Sequence, residues 1–113
     1  MDTIALDELR ELLESDAEVR VVMTLGPHRF RQAHIPGTET FPTVEAALGA
    51  LDPGDDIVLY CAGITHPAST WAHRILTSRG YRNVKVFRGG LVEWSAAGLA
   101  VGTAVESAGG EVA

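Results

Sequence analysis

The chain reads as an α/β protein with a central, mostly parallel sheet flanked by helices on both faces. Two patterns predict this. Short β-rich runs alternate with amphipathic helical stretches, and the run Ile57-Val58-Leu59-Tyr60 is continuously apolar, as a central parallel strand covered on both faces must be. The length of 113 residues suits one core and is too short for two independent ones. Right-handed crossovers are the expected connections.

Each element follows from local chemistry. Leu6, Leu9, Leu12 and Leu13 recur at helical spacing, with Asp7 and Glu8 in the first turn where the helix dipole favours negative charge. Val19 to Thr24 is a β-branched run that Gly26-Pro27 would stop. Residues 25 to 42 carry Gly26, Pro27, Pro36, Gly37 and Pro42, which predicts a long surface loop. Thr43 is placed to cap a short helix through Leu51, with Val44, Ala47, Leu48 and Leu51 on one side, and Asp52-Pro53-Gly54-Asp55 makes a turn. After Tyr60 comes a loop of small residues, then a helix from Ala68 to Arg79 ended by Gly80. Asn83 to Phe87 is a further strand, followed by Gly89-Gly90 and a short helix carrying Leu91 and Trp94. Core packing is expected for Trp71 and Trp94. The domain is expected to occupy residues 1–101, and the small, polar, aperiodic residues 102–113 are expected to form a poorly ordered tail.

Composition narrows the function classes. Hydrophobic residues make up 46% and charged residues 21%, proportions of an ordinary globular domain. Fifteen acidic against nine basic side chains give a net charge of −6, which repels phosphate backbones, so no nucleic-acid partner is expected. No apolar run reaches the length of a membrane span, and the acidic start MDTIALDELR lacks the basic and then apolar character of a signal peptide. No membrane partner is expected. One cysteine, Cys61, cannot form an internal disulfide and suits a reducing, cytoplasmic setting.

Cys61 is the candidate chemical centre because it ends the apolar central run, and open parallel sheets place ligands at the carboxyl ends of their strands. The residues that follow, Ala62, Gly63, Ile64, Thr65 and His66, are compact enough to curl around the sulfur with amide hydrogens turned inward and the next helix's positive end nearby. Cysteines at helix N-termini are held as thiolates, the reactive form, at lower pH than ordinary thiols. Such a thiolate attacks the outer sulfur of a donor, keeps it as a persulfide and yields it to a second nucleophile. Against this stands the bland reading, since cysteine is among the residues most often buried as a small inert hydrophobe.

A wider pattern favours the chemical reading. His34-Ile35-Pro36-Gly37, Tyr60-Cys61-Ala62-Gly63, and Gly80-Tyr81 through Gly89-Gly90 to Trp94 occur in this order. Together they resemble the rhodanese family, in particular a single-domain branch whose longer active loop has the form C-x-G-x-x-C, with His66 here in place of the second cysteine. The resemblance implies a rhodanese-like α/β fold and a sulfurtransferase that moves sulfane sulfur through a Cys61 persulfide. It implies a small donor such as thiosulfate or a persulfide, a thiol or cyanide acceptor or a protein persulfide partner, and no cofactor beyond the covalent intermediate. Two departures stand out. Met23-Thr24-Leu25 occupies the place of the family's usual Asp-x-Arg, and residues 61 to 70 contain no Lys or Arg to meet a doubly charged donor. Both favour the alternative of a catalytically weak or inactive binding or regulatory module, including redox sensing through Cys61 oxidation.

The remaining polar residues carry two readings each. His66 is either an acid, base or cation near the sulfur or a solvent-facing loop residue before Pro67. Ser69 and Thr65 either support the sulfur or cap the helix, and capping is favoured for Ser69. Arg88 either lends positive potential to the site or is simply solvated. His34 is expected to make a structural hydrogen bond. The four histidines and one cysteine show no zinc spacing, so no metal is assigned. A cysteine phosphatase or arsenate reductase would need an oxyanion-clamping arginine soon after the nucleophile, and none precedes Arg74. Monomer and homodimer are both open.

Overall fold

The computed structural model describes residues 2–63 and 67–103. Among the described residues the chain alternates as α1 (Leu6–Glu14), β1 (Val19–Met23), α2 (Pro27–Gln32), β2 (Glu39–Thr40), α3 (Val44–Ala50), β3 (Asp56–Tyr60), α4 (Ala68–Ser78), β4 (Asn83–Phe87) and α5 (Gly90–Ala96). The four strands form one sheet in the order β2-β1-β3-β4, and every pairing is parallel. The expected fold class is the one observed.

Alternation along the strands sorts the side chains into two cores. On one face Val21, Met23, Val58, Tyr60 and Phe87 pack with Leu9 of α1, Ile35 and Trp94 of α5. On the other, Val22, Ile57, Leu59, Val84 and Val86 meet Leu51, Leu76 and Tyr81, with Ala47 of α3 and Ala72 of α4 against them. β3 sits between β1 and β4, so Ile57 to Tyr60 are buried on both faces, as their unbroken apolar run requires. The edge of the sheet is tied by Arg20, whose guanidinium donates to both carboxylate oxygens of Glu39 at 2.7 and 2.9 Å; this bond holds the Arg20 pKa above its ordinary value.

Three expectations need correction. Residues 25 to 42 are not one loop: Pro27 opens α2, fitting the first helical turn where no amide donor is needed, and Glu39-Thr40 pairs with β1. Trp71 is not in the core; it is 58% exposed, with the Arg74 guanidinium 5.3 Å from the ring centroid. Val44 is likewise exposed, because α3 turns only Ala47, Leu48 and the following Leu51 inward. Trp94 is buried as expected and donates to Ala100 O at 2.8 Å. Gly102, placed by the sequence at the start of the tail, exchanges both backbone hydrogen bonds with His34, at 2.9 and 3.0 Å. The rest of that segment, residues 104–113, lies outside the described residues.

Candidate active site

Cys61 directly follows β3 at the carboxyl edge of the sheet and is only 3% exposed. What holds it is a run of occupied carbonyls. Tyr60 O accepts from Thr24 N–H at 2.9 Å and from the Thr24 hydroxyl at 3.2 Å. Cys61 O accepts from Leu91 N–H at 2.9 Å, and Ala62 O from Val92 N–H at 2.8 Å. These last two donors belong to the first turn of α5, whose amides have no partner within their own helix. The α5 terminus therefore satisfies itself by pinning the base of the loop. The peptides are trans, so turning these carbonyls toward α5 turns the Ala62 and Gly63 amide hydrogens the opposite way.

Gly90 makes this close approach workable. Its φ is +58°, and a Cβ there would collide with Cys61 O and the Ala62 carbonyl group. Gly63 O faces the Cys61 sulfur at 3.8 Å, a weak contact in which the thiol donates and which a thiolate does not make.

Tyr60 is anchored at its far end as well. Its phenol oxygen accepts from Ile35 N–H at 3.0 Å and lies 2.8 Å from Thr38 Oγ1, while that threonine hydroxyl donates to Ile35 O at 2.6 Å. The Tyr60 phenol must then donate to Thr38. Burial pushes the phenol's pKa above its ordinary value. The His34-Ile35-Pro36-Gly37 loop is thus fastened to the residue immediately before the cysteine. His34 itself is structural, as expected: its Nδ1 donates to Phe30 O at 2.8 Å and its ring stacks on Phe30 at 3.9 Å.

Of the residues singled out from the sequence, Cys61, Ala62 and Gly63 are brought together at the strand end. Ile64, Thr65 and His66 lie outside the described residues. Ser69 is not the cap: Pro67 holds the N-cap position, Ser69 is the second residue of α4, and no side-chain cap bond is made there among the described residues. It is 2% exposed and its hydroxyl lies 3.1 Å from Thr24 Oγ1. Since the Thr24 proton goes to Tyr60 O, Ser69 donates to Thr24. Arg88 follows β4, is exposed, and forms no ion pair among the described residues.

Sequence reasoning missed Thr24, taking Met23-Thr24-Leu25 as the loss of a polar support. Thr24 supplies that support, joining β1, β3 and α4 through one hydroxyl. The signal was its place as the polar last residue of the β-branched run Val19 to Thr24. The amides of Leu91 and Val92 act through the backbone, and only Gly89-Gly90 before them marks the close approach.

The family model of the rhodanese-like domain matches residues 5–97. An HTH-type transcriptional regulator of Mycobacterium tuberculosis is 36% identical over 102 residues, covering 88% of this chain and 44% of the regulator. The chain thus spans less than half the length of that curated relative. Among solved structures, the rhodanese-like domain of an Anabaena sp. protein superimposes with a TM-score of 0.79 at 25% identity, covering 95% of this chain and 83% of its own. A thiosulfate sulfurtransferase from Pseudomonas aeruginosa shares the fold with a TM-score of 0.74 at 24% identity, over 91% of this chain and 20% of its own. With a cysteine at the end of the central strand, a Gly-Gly turn against its loop and a family match over most of its length, the chain belongs to the rhodanese-like domain family.

Proposed function

We propose that this domain is a sulfurtransferase with Cys61 as nucleophile and sulfur carrier. The Cys61 thiolate attacks the sulfane sulfur of a donor; a sulfur–sulfur bond to Cys61 forms and the donor's own bond breaks, with thiosulfate releasing sulfite. A thiol or cyanide then takes the outer sulfur, as thiocyanate in the latter case, and the thiolate returns. No cofactor takes part. The observation that carries this reading is the pinning of Cys61 O and Ala62 O by the first turn of α5, which leaves the opposite side of those peptides to present hydrogens to an anion. The loop amides through His66 are assigned the same task, Ser69 supports the base of the loop through Thr24, and Arg88 adds positive potential at the rim. The partners are a small sulfur donor and a thiophilic acceptor, in the cytoplasm; no helix among the described residues is long and apolar enough to cross a membrane.

The test is intact mass after incubation with thiosulfate or a small persulfide, followed by cyanide. A gain of one sulfur that cyanide removes, absent in Cys61→Ser, is expected. Identical behaviour of wild type and variant ends the enzyme reading. A regulatory or redox-sensing module is the second reading, favoured by the match to a transcriptional regulator and by the near-complete covering of the sulfur.

A further inference from the structure

A cavity of about 310 Å³ lies on the α3–α4 face of the sheet, beside the carboxyl end of β1. Val22, Thr24, Ala47, Leu59, Ala72 and Ile75 are among its walls, and none of the described residues that line it is ionisable. The strand register makes it a neighbour of the cysteine. β1 and β3 pair Val22 with Leu59 and Met23 with Tyr60, and Thr24, one residue on, donates its N–H and its hydroxyl to Tyr60 O. Leu59, two residues before Cys61, lines the cavity, and so does Thr24, which bonds the carbonyl of the residue immediately before the cysteine. Thr24 therefore joins the wall of the cavity to the residue before the nucleophile.

An apolar protein cavity of ~150 Å³ stays dry and takes up benzene, and small-molecule sites begin at ~300 Å³. A space of this size and character beside a loop whose residues 61 to 70 hold no Lys or Arg suits a donor with an apolar body better than one with a second negative charge. Resting on the sulfur-transfer reading, we infer that this cavity is the specificity pocket of the reaction and receives the aryl or alkyl group of an organic sulfane-sulfur donor. With benzenethiosulfonate the Cys61 thiolate attacks the outer sulfur, the new sulfur–sulfur bond forms, and the bond to the sulfonyl sulfur breaks with its electron pair leaving on benzenesulfinate. Cyanide then removes the outer sulfur as thiocyanate and restores the thiolate.

The experiment compares kcat/KM for benzenethiosulfonate and thiosulfate, with cyanide as acceptor, in wild type and in Ala47→Phe. Ala47 lies on α3 and is not part of the loop after Cys61, and a phenylalanine there takes up cavity space. The variant is expected to lose about tenfold or more with benzenethiosulfonate and nothing with thiosulfate. Comparing variants cancels the different intrinsic reactivities of the donors. A second measurement needs no cavity variant: benzenesulfinate added to Cys61→Ser is expected to shift the methyl resonances of Val22, Ala47, Leu59 and Ile75, and sulfite is expected to leave them in place. Equal losses with both donors, or unmoved methyls, overturn the pocket while sulfur transfer stands. If neither donor loads Cys61, the sulfur-transfer reading fails, and the methyl titration still decides whether the cavity binds an aryl group.

Discussion

Removing one oxygen atom, in Tyr60→Phe, tests whether the residue before the cysteine is clamped from its far end. The ring stays in place, so packing is conserved and the change is confined to hydrogen bonding. Ile35 is fully buried, and its N–H donates to the phenol oxygen at 3.0 Å. Phenylalanine leaves that amide without an acceptor and removes the donor to Thr38 Oγ1 at 2.8 Å, although Thr38 keeps its own bond to Ile35 O. A buried amide stripped of its partner costs about 1–3 kcal/mol. Taking about 2 kcal/mol, and about 2.1 cal/mol/K of unfolding entropy per residue over 113 residues, Tm should fall by about 8 °C. Urea unfolding should show a lower midpoint with an unchanged slope. A loss under about 0.5 kcal/mol would refute the clamp, since a free exposed hydroxyl costs no more than that.

The same substitution carries a pH signature. Burial raises the Tyr60 pKa above its unfolded value of about 10, so the folded state holds the phenolic proton more tightly than the unfolded chain. The stabilisation is full below pH ~10 and is lost as pH climbs through the higher folded-state value. Wild type should therefore converge on Tyr60→Phe at alkaline pH. Curves that stay parallel from neutral pH to above 10 would show that the phenol is not proton-linked to folding.

Gly90→Ala forces a left-handed residue, at about 1–2 kcal/mol, and drives a methyl into Cys61 O; sulfur loading of Cys61 should fall by more than the loss of stability explains, read by intact mass at a temperature where the variant is fully folded. Thr24→Val removes a hydroxyl that bonds both Tyr60 O and Ser69, costing about 1–2 kcal/mol in urea unfolding, and Thr24→Ser should restore most of it. Arg20→Met breaks the two-pronged bond to Glu39, but both side chains are about one-third exposed, so the loss should stay near 0.5–1 kcal/mol and shrink further in high salt.

How far the sequence was readable depended on element length and on whether side chains or backbone did the work. β3, β4, α1 and α4 are long enough, or apolar enough, for their periodicity to show. α2 spans six residues and β2 two, too few for any period to appear among Pro27, Pro36 and Gly37. Trp71 stands four residues before Ile75, at helical spacing, yet spacing gives the angular position of a residue and not the width of the buried stripe, and the stripe stops short of it. At the site, the cysteine was evident from its place after an apolar strand. The anchors were not, because Leu91 and Val92 hold the loop through amides that any residue would supply, and Thr24 is an unremarkable residue until the register sets it against Tyr60.

The nature of those anchors bears on the chemistry. A carboxylate in the first-strand position would brace the loop but would also set a fixed negative charge near a sulfur that, in the proposed reaction, becomes an anion, working against the thiolate and its persulfide. Here the bracing falls to two hydroxyls and two backbone amides, Ser69 to Thr24 to Tyr60 O on one side and the first turn of α5 on the other. They hold position without adding charge of either sign. On the proposed sulfur-transfer reading, stabilisation of the anion falls to amide hydrogens and to the N-terminal end of α4, eleven residues long and beginning at Ala68. Those are partial charges, suited to one negative charge and weak against two, and on that reading the proposed pocket and the uncharged loop select together for a singly charged organic donor.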